Sequence, residues 1–331
     1  MAQATIRDVA RAAAVSVASV SRVLNGHPNV RAELRARVQG AAERLGYVPH
    51  AGARNLSLAR TGAVGVVLPD LHGEFFSEVI RGMDREAALR GMHLLLSNVH
   101  AGAARSIEAL QTMRGRVDGV VVMAPHLDPA LIAEALPAGL PAVLVNCPEL
   151  AGDHVALRID NAAGATAMVE HLIAGGRRAI AHLRGPRGNI EAEDRLRGYR
   201  TAIAAAGLEP LVLPGHFDEE SGRAAVRLLA ARGFAVDALF AANDMMAIGA
   251  MMALRDHGID VPGRIAVAGF DNVPLSRLVT PALTTMAVDI ADLGGRAINR
   301  LAAMIQGHEL PATESRRPSL IVRASTSAQQ R

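Results

Sequence analysis

The sequence predicts an α/β protein in two parts: an all-α three-helix helix-turn-helix head, then a two-lobed body built on parallel sheets. Three observations carry that reading. Residues 1–60 hold nine arginines against three acids, whereas the remaining residues hold 26 against 29. Short helical segments fill that basic head. Beyond Thr61-Gly62, strand-like and helix-like runs alternate, and the alternation starts again near Asn161. Such alternation predicts parallel, doubly wound sheets.

Bulk composition sets the outer bounds. At 331 residues, 50% hydrophobic and 20% charged, the chain is an ordinary globular sequence. Its length suits two or three folding units at roughly 100–200 residues each. The longest apolar runs, "AVGVVL" and "GVVVMA", are strand-length, well short of the ~20 residues of a membrane span. A single cysteine, Cys147, excludes an intrachain disulfide and fits a reducing, cytoplasmic compartment. A basic head on a mildly acidic body points to a polyanion as partner. The stretch "RDVARAAAVSVASVS" imitates a signal peptide, but Asp8, Ser16 and Ser19 interrupt its basic and apolar parts.

The head reads as three short helices. "TIRD" from Thr5 fits a capping box, and Ile6, Val9, Ala10 and Ala13 follow at helical spacing to an end near Ala13. Ser16 caps a second helix with Val20, Val23 and Leu24 inward and Gly26 as its stop. A third helix is expected from about Ala32 to Leu45, with Leu34, Val38, Ala41 and Leu45 inward and Gly46 as stop. Two helices joined by so tight a turn form a helix-turn-helix. Small residues let them approach closely and leave Val17, Ala18, Ser21, Arg22 and Asn25 on the outer face. A helix that enters the DNA major groove exposes such side chains near its N-terminus.

In the body, strands are expected at Ala63–Leu68, His93–Ser97, Gly119–Met123 and Ala142–Val145, with helices including Glu78–Arg90 and Ala104–Arg114. The second set runs from a helix at Asn161–Ala174 through a strand at Ala179–Leu183 and a helix to Ala206, on to Ile265–Gly269. Ligands of such sheets bind beyond the carboxyl ends of the strands, so the crevice between the lobes is the expected site.

The stretches "TIRDVARAAAVSVASVSRVLNG" and "VRAELRARVQGAAERLGYVPHAGARNL" resemble the head of the LacI/GalR (lactose/galactose repressor) family. The body motifs "GVVLPDL", "DGVVVMAP", "IDNAAGA", "HLRGP", "RLRGY", "AANDMMAIGAM", "VAGFDN" and "LTTMAVD" follow in family order. The resemblance covers essentially the whole chain. It implies a helix-turn-helix DNA-binding domain at 1–48, a hinge helix and linker at 49–60, and an effector-binding and dimerisation domain at 61–331. That body would be periplasmic-binding-protein-like, with lobe one at about 61–159 and 290–317 and lobe two at about 161–288 and 319–327. The chain would cross between lobes near Asp160, Asp289 and Pro318.

The resemblance also implies roles. Thr5, Ser16, Val17, Ala18, Ser19, Ser21, Arg22, Asn25 and Tyr47 fall at DNA-contact positions. Ala53 and Leu56 fall in the hinge, where an apolar wedge kinks the duplex through the minor groove. In the body, Arg195, Asn243 and Asp271 would hydrogen-bond effector hydroxyls. Phe217, with Phe75 or Phe76, would stack on an apolar face. Asn189 and Glu191 sit in a loop that tunes specificity in relatives. Two departures stand out: Ala14 occupies the turn position usually held by Gly, and Arg31 replaces the usual Ser or Thr cap of the third helix.

Enzyme motifs are missing. The chain has no lysine, hence no G-x-x-x-x-G-K-[ST] loop, and neither G-x-S-x-G nor H-E-x-x-H occurs. His171 and His182 are expected to be structural rather than metal ligands, Cys147 to be a buried hydrophobe, and Asp244 to be either a helix N-cap or a ligand contact. No cofactor or metal is expected. The sequence thus predicts a DNA-binding transcriptional regulator, a repressor controlled by a small-molecule effector of sugar type. Its partners would be double-stranded operator DNA and a second copy of the chain. "LIVRASTSAQQR" carries no apolar heptad, which favours a homodimer over a tetramer. The rival reading is a periplasmic-type solute-binding protein sharing the body alone.

Overall fold

A computed structural model describes residues 4–25, 27, 29–47, 60–99, 103–150 and 154–327. The chain forms two compact units, Met1–Gly62 and Ala63–Arg331.

The head contains α1 (Ile6–Ala12), α2 (Val17–Leu24) and α3 (Ala32–Arg44). The Thr5 hydroxyl accepts the Asp8 amide at 3.4 Å, and the Asp8 carboxylate accepts the Thr5 amide at 3.0 Å, so two otherwise orphaned donors at the start of α1 are satisfied. Ser16 Oγ accepts the Ser19 amide at 3.1 Å and caps α2. Between these helices Ala14 adopts φ 50°, the left-handed region, which costs a residue with a Cβ about 1 kcal/mol. Val9, Ala10, Ala13, Val20, Val23, Val38, Ala41 and Ala42 form the head's core, with Leu24, Leu34 and Tyr47 packed against it.

One expectation for α3 differs. Leu45 is 40% exposed, not inward, because the helix ends at Arg44 and Ala42 fills the inner position one turn beyond Val38. Arg31 makes no side-chain cap, in keeping with its departure from the usual cap residues. Gly26 lies outside the described residues.

The body opens with β1 (Ala63–Leu68), α4 (Glu74–Leu89), β2 (His93–Asn98), α5 (Ala103–Met113), β3 (Gly119–Met123), α6 (Pro129–Ala135), β4 (Ala142–Val145) and β5 (Val155–Ile159). It continues through α7 (Asn161–Ala174), β6 (Ile180–Leu183), α8 (Ile190–Ala205), β7 (Leu211–Leu213), α9 (Glu219–Ala230), β8 (Ala238–Ala241), α10 (Asp244–Asp256) and β9 (Ala266–Ala268). Then come a 3-10 turn at Pro274–Arg277, β10 (Thr285–Ala287), α11 (Ile290–Ile305), β11 (Thr313–Arg316) and β12 (Ser319–Ile321).

Five of the first strands and β11 make one parallel sheet in the order β11-β5-β4-β3-β1-β2. Strands β7-β6-β8-β9 make a second parallel sheet. β10 and β12 pair antiparallel, Met286 opposite Leu320. The chain leaves the first sheet after β5, returns as α11 after β10, and leaves again between β11 and β12. The central strands are apolar on both faces, as strands covered by helices on both sides must be. α4 and α11 pack at backbone contact: a Cβ on Gly82 would lie 1.9 Å from the Ala291 carbonyl oxygen.

The helix expected at Glu78–Arg90 begins four residues earlier, at Glu74. Its N-cap, Gly73 at φ 80°, has no side chain to announce the start. β5 was not anticipated as a strand.

Candidate functional site

In the head, α2 presents Val17, 42% exposed, with Ala18 and Arg22, both exposed. Ser19, Ser21 and Asn25 are half-buried. The Ser16 and Ser19 hydroxyls lie 2.9 Å apart, and Asn25 Nδ2 donates to Ser21 Oγ at 3.3 Å. Thr5 sits in its capping box, and Tyr47 rests against the head core. The three residues free to meet a surface on α2 are therefore two small apolar side chains and one guanidinium. Ala53 and Leu56 lie outside the described residues.

In the body, a cavity of about 750 Å³ opens between the lobes. Its lining brings together all eight sequence-expected residues: Phe75, Phe76, Asn189, Glu191, Arg195, Phe217, Asn243 and Asp271. Phe75 and Phe76 stand in the first turn of α4, ring centroids 5.4 Å apart and edge to face. The others come from the second lobe, at or just beyond the carboxyl ends of its strands.

Arg195, on α8, is the centre of the polar floor and only 3% exposed. Its Nε donates to Asn161 Oδ1 at 2.8 Å, and one terminal nitrogen donates to the Ala242 carbonyl. The other terminal nitrogen lies 3.2 Å from Asp271 Oδ1 and 3.7 Å from Glu191 Oε1. The guanidinium stacks 3.9 Å from the centroid of the Phe270 ring. Glu191 Oε1 also accepts Asn146 Nδ2 at 2.9 Å, and Asn146 Oδ1 accepts the Ile159 amide at 3.2 Å. The first lobe thus touches the floor of the second through Asn146, and beside it the Pro125 carbonyl accepts the Ile190 amide at 2.9 Å.

Two residues expected to meet an effector already serve as helix caps. Asn189 Oδ1 accepts the amides of Glu191 and Ala192 at the start of α8. Asn243 Oδ1 accepts the Met246 amide at 3.0 Å and caps α10, while its Nδ2 donates to the Phe217 carbonyl at 2.9 Å. That bond helps hold Phe217 at φ 69°. Asp244 is neither the cap nor a cleft residue. Fully buried, it accepts the Thr285 hydroxyl at 2.6 Å and the Val273 amide at 2.9 Å, tying α10 to β10 and to the loop after β9.

Burial governs the carboxyls. It pushes Asp271 up to about 7 although Arg195 beside it pulls the other way, and Glu191 adds to the rise. Glu191 is raised by burial against the pull of Arg195. Between the ordinary 3.8 and about 7, the folded chain keeps a proton on Asp271 that the unfolded chain has lost. This group therefore makes stability fall as pH rises through that window and level off above it. Asp271→Asn is expected to flatten the fall in melting temperature between about pH 4 and 7. Equal slopes in the two proteins would show that the group does not titrate there.

His182 is held between Tyr199 and Phe240, 5.0 and 4.9 Å between centroids, and burial drives its pKa down to about 3. His171 hydrogen-bonds Thr326 Oγ1 at 2.8 Å. Cys147 is buried and burial pushes its thiol up to about 12. Sequence reasoning missed Asn146, Asn161, Phe270 and His126. His126 lines the cavity, and its buried Nε2 has no hydrogen-bond partner among the described residues. Asn146 and His126 follow β4 and β3, where the strand-end rule would have found them.

A basic head with an exposed groove-sized helix and a two-lobed body with a polar cleft are the parts of a ligand-responsive DNA-binding regulator. Residues 5–50 match the bacterial regulatory proteins of the lacI family, and residues 169–326 match a periplasmic binding protein-like domain. The chain is 37% identical to the HTH-type transcriptional regulator GalR of Escherichia coli (strain K12), over 98% of this chain and 96% of that one. Its fold matches the lac repressor dimer bound to operator and the anti-inducer ONPF, with TM-score 0.90, 28% identity and coverage of 99% and 100%. It also matches a complex of the regulator CelR with cellobiose, with TM-score 0.71, 32% identity and coverage of 97% and 99%. The chain belongs to the lacI family of bacterial regulatory proteins. It is a transcriptional regulator and not an enzyme.

Proposed function

We propose that the protein is a cytoplasmic, homodimeric repressor. Its head reads a pseudo-palindromic operator through Val17, Ala18 and Arg22, and a sugar bound between the lobes controls its hold on DNA. The domain limits follow the division drawn from the sequence, with the hinge at 49–60 carrying Ala53 and Leu56. The observation that carries the reading is the convergence of aromatic, carboxylate, amide and guanidinium side chains on one interlobe cavity. Aromatic faces beside bidentate polar groups suit the apolar and hydroxylated faces of a sugar ring. The lac repressor in its operator complex and CelR with cellobiose support the two partner classes by likeness. No described helix is long and apolar enough to cross a membrane.

The test is binding of the full chain to DNA from upstream of its own gene, with and without neutral sugars. Affinity for DNA is expected to fall with salt at a log–log slope of about −0.9 per phosphate neutralised. At least one sugar is expected to change that affinity, since coupling between two sites is reciprocal. A flat salt dependence, or indifference to every sugar that binds the protein, would refute the regulatory reading.

A further inference from the structure

The body has a second cavity, of about 420 Å³. It shares Asp271 and Val273 with the interlobe cleft, so the loop after β9 serves both. Its walls come from both lobes. On the side of the first sheet, α4 brings Arg81 and Arg85, and the start of α11 brings Asp289 and Asp292. On the side of the second sheet, the 3-10 turn brings Arg277, and the segment after β12 brings Arg323.

Most of the carboxylates there are already neutralised. Glu78 pairs with Arg81, and Asp292 pairs with Arg316 at 2.6 Å. Asp271 faces Arg195 in the cleft. The cations are less well served. Arg85 and Arg277, both exposed, make no hydrogen bond or ion pair with any described residue. Arg323 is half-buried and donates only to neutral acceptors: Ser276 Oγ at 3.1 Å, the Leu283 carbonyl at 2.7 Å and Asn272 Oδ1 at 2.7 Å. Burial lowers its pKa, and Arg277 pushes the same way against the pull of Asp244. Three guanidiniums, Arg85, Arg277 and Arg323, thus stand against the one carboxylate of Asp289. A concave site with one sign of charge concentrates the opposite ion, and guanidinium forks match phosphate and carboxylate oxygens.

The backbone sets the same place apart. Asp271, Asn272 and Asp289 have φ of 110°, 59° and 50°, and all three line this cavity. Left-handed conformations cost residues with a Cβ about 1–3 kcal/mol each and persist where their surroundings hold them. Asp289 lies where the chain passes from β10 back to α11, and Asp271 reaches the cleft floor. A ligand here would touch a crossover and the cleft floor at once.

We propose that this cavity is a second ligand site, for a compact multivalent anion, phosphoryl or polycarboxylate, that bridges Arg85 of one lobe to Arg277 and Arg323 of the other. Bound there, the anion holds the lobes in one arrangement from the side of the crossover. The site stands whatever fills the cleft.

Calorimetric titration of the full chain with pyrophosphate, inorganic phosphate and citrate, at fixed ionic strength, tests this. At least one probe is expected to bind, and the tighter of pyrophosphate and citrate identifies the source of the anion. The double variant Arg85→Gln with Arg277→Gln is expected to weaken that binding at least about tenfold. Both side chains are exposed and unpaired, so its melting temperature without anion should match the native value. Arg232→Gln, an exposed arginine outside the cavity, should change nothing. Amide exchange over 271–277 and 288–292 is expected to slow with the anion in the native chain and not in the double variant. No binding by any probe would overturn the inference. So would binding that the double variant keeps, which would put the anion on the arginine-rich head or mark an adventitious ion only. A double variant that loses its dimer, with no anion bound by the native chain, would assign the two arginines to the contact between copies and overturn it too.

Discussion

Arg195→Ala is expected to destabilise the body by about 3–5 kcal/mol and to abolish effector binding with it. The sequence alone makes Arg195 a ligand contact. In the structure it is first a keystone: a buried cation that joins α7 through Asn161, the end of β8 through the Ala242 carbonyl, and the loop after β9 through Asp271. Without it, Glu191 and Asp271 face each other across a cavity with no counter-charge. The Phe270 ring also loses the guanidinium stacked on it. A loss of that size lowers the melting temperature of a domain this large by about 10 °C. Arg195→Lys should rescue little, because one ammonium cannot reach three partners in different directions.

Asp271→Ala should behave differently. It leaves Arg195 with Asn161, the Ala242 carbonyl and Glu191 as partners, so the loss of stability is expected to be smaller than for Arg195→Ala. An effector hydroxyl loses its acceptor, costing about 1–3 kcal/mol, which is about fivefold to 150-fold in affinity. Melting curves and sugar titrations on both variants separate the roles. An Arg195→Ala protein that melts normally and merely binds weakly would reduce the arginine to a simple ligand contact.

What the sequence made legible follows from how each element is stabilised. β1, β3 and β4 are short apolar runs buried on both faces, so their limits are printed in the residue order. β5 carries Arg158 one residue from its end and follows His154, and β11 reads Thr-Glu-Ser-Arg at the sheet edge. Their membership depends on neighbours distant in sequence, which no local pattern records. Of Asn243 and Asp244, either residue type could cap a helix. Only the fold decides that Asn243 caps and that Asp244 ties α10 to β10. The site divides the same way. Strand-end residues were legible from the strand-end rule and the motif resemblance together, whereas Asn161 and Phe270, which position Arg195, act across 34 and 75 positions of chain.

A chain beginning at Ala63 is expected to lose DNA binding altogether while its affinity for sugar stays within a few-fold. The division into units falls at Gly62, and every residue lining the interlobe cavity lies beyond it. Among the described residues, the body's hydrophobic cores are built from body side chains. The excess positive charge goes the other way: the head carries the surplus of arginine, and the body is mildly acidic. Removing the head thus removes the exposed face of α2 proposed to read DNA and the surplus arginines, whose phosphate contacts would supply the sequence-independent part of DNA affinity. Fluorescence anisotropy with upstream DNA at low salt, paired with sugar titration of the same preparation, measures both activities. Residual DNA binding that keeps its salt slope would place the nucleic-acid surface on the body. A parallel collapse of sugar binding would mean that the cleft depends on the head for its shape.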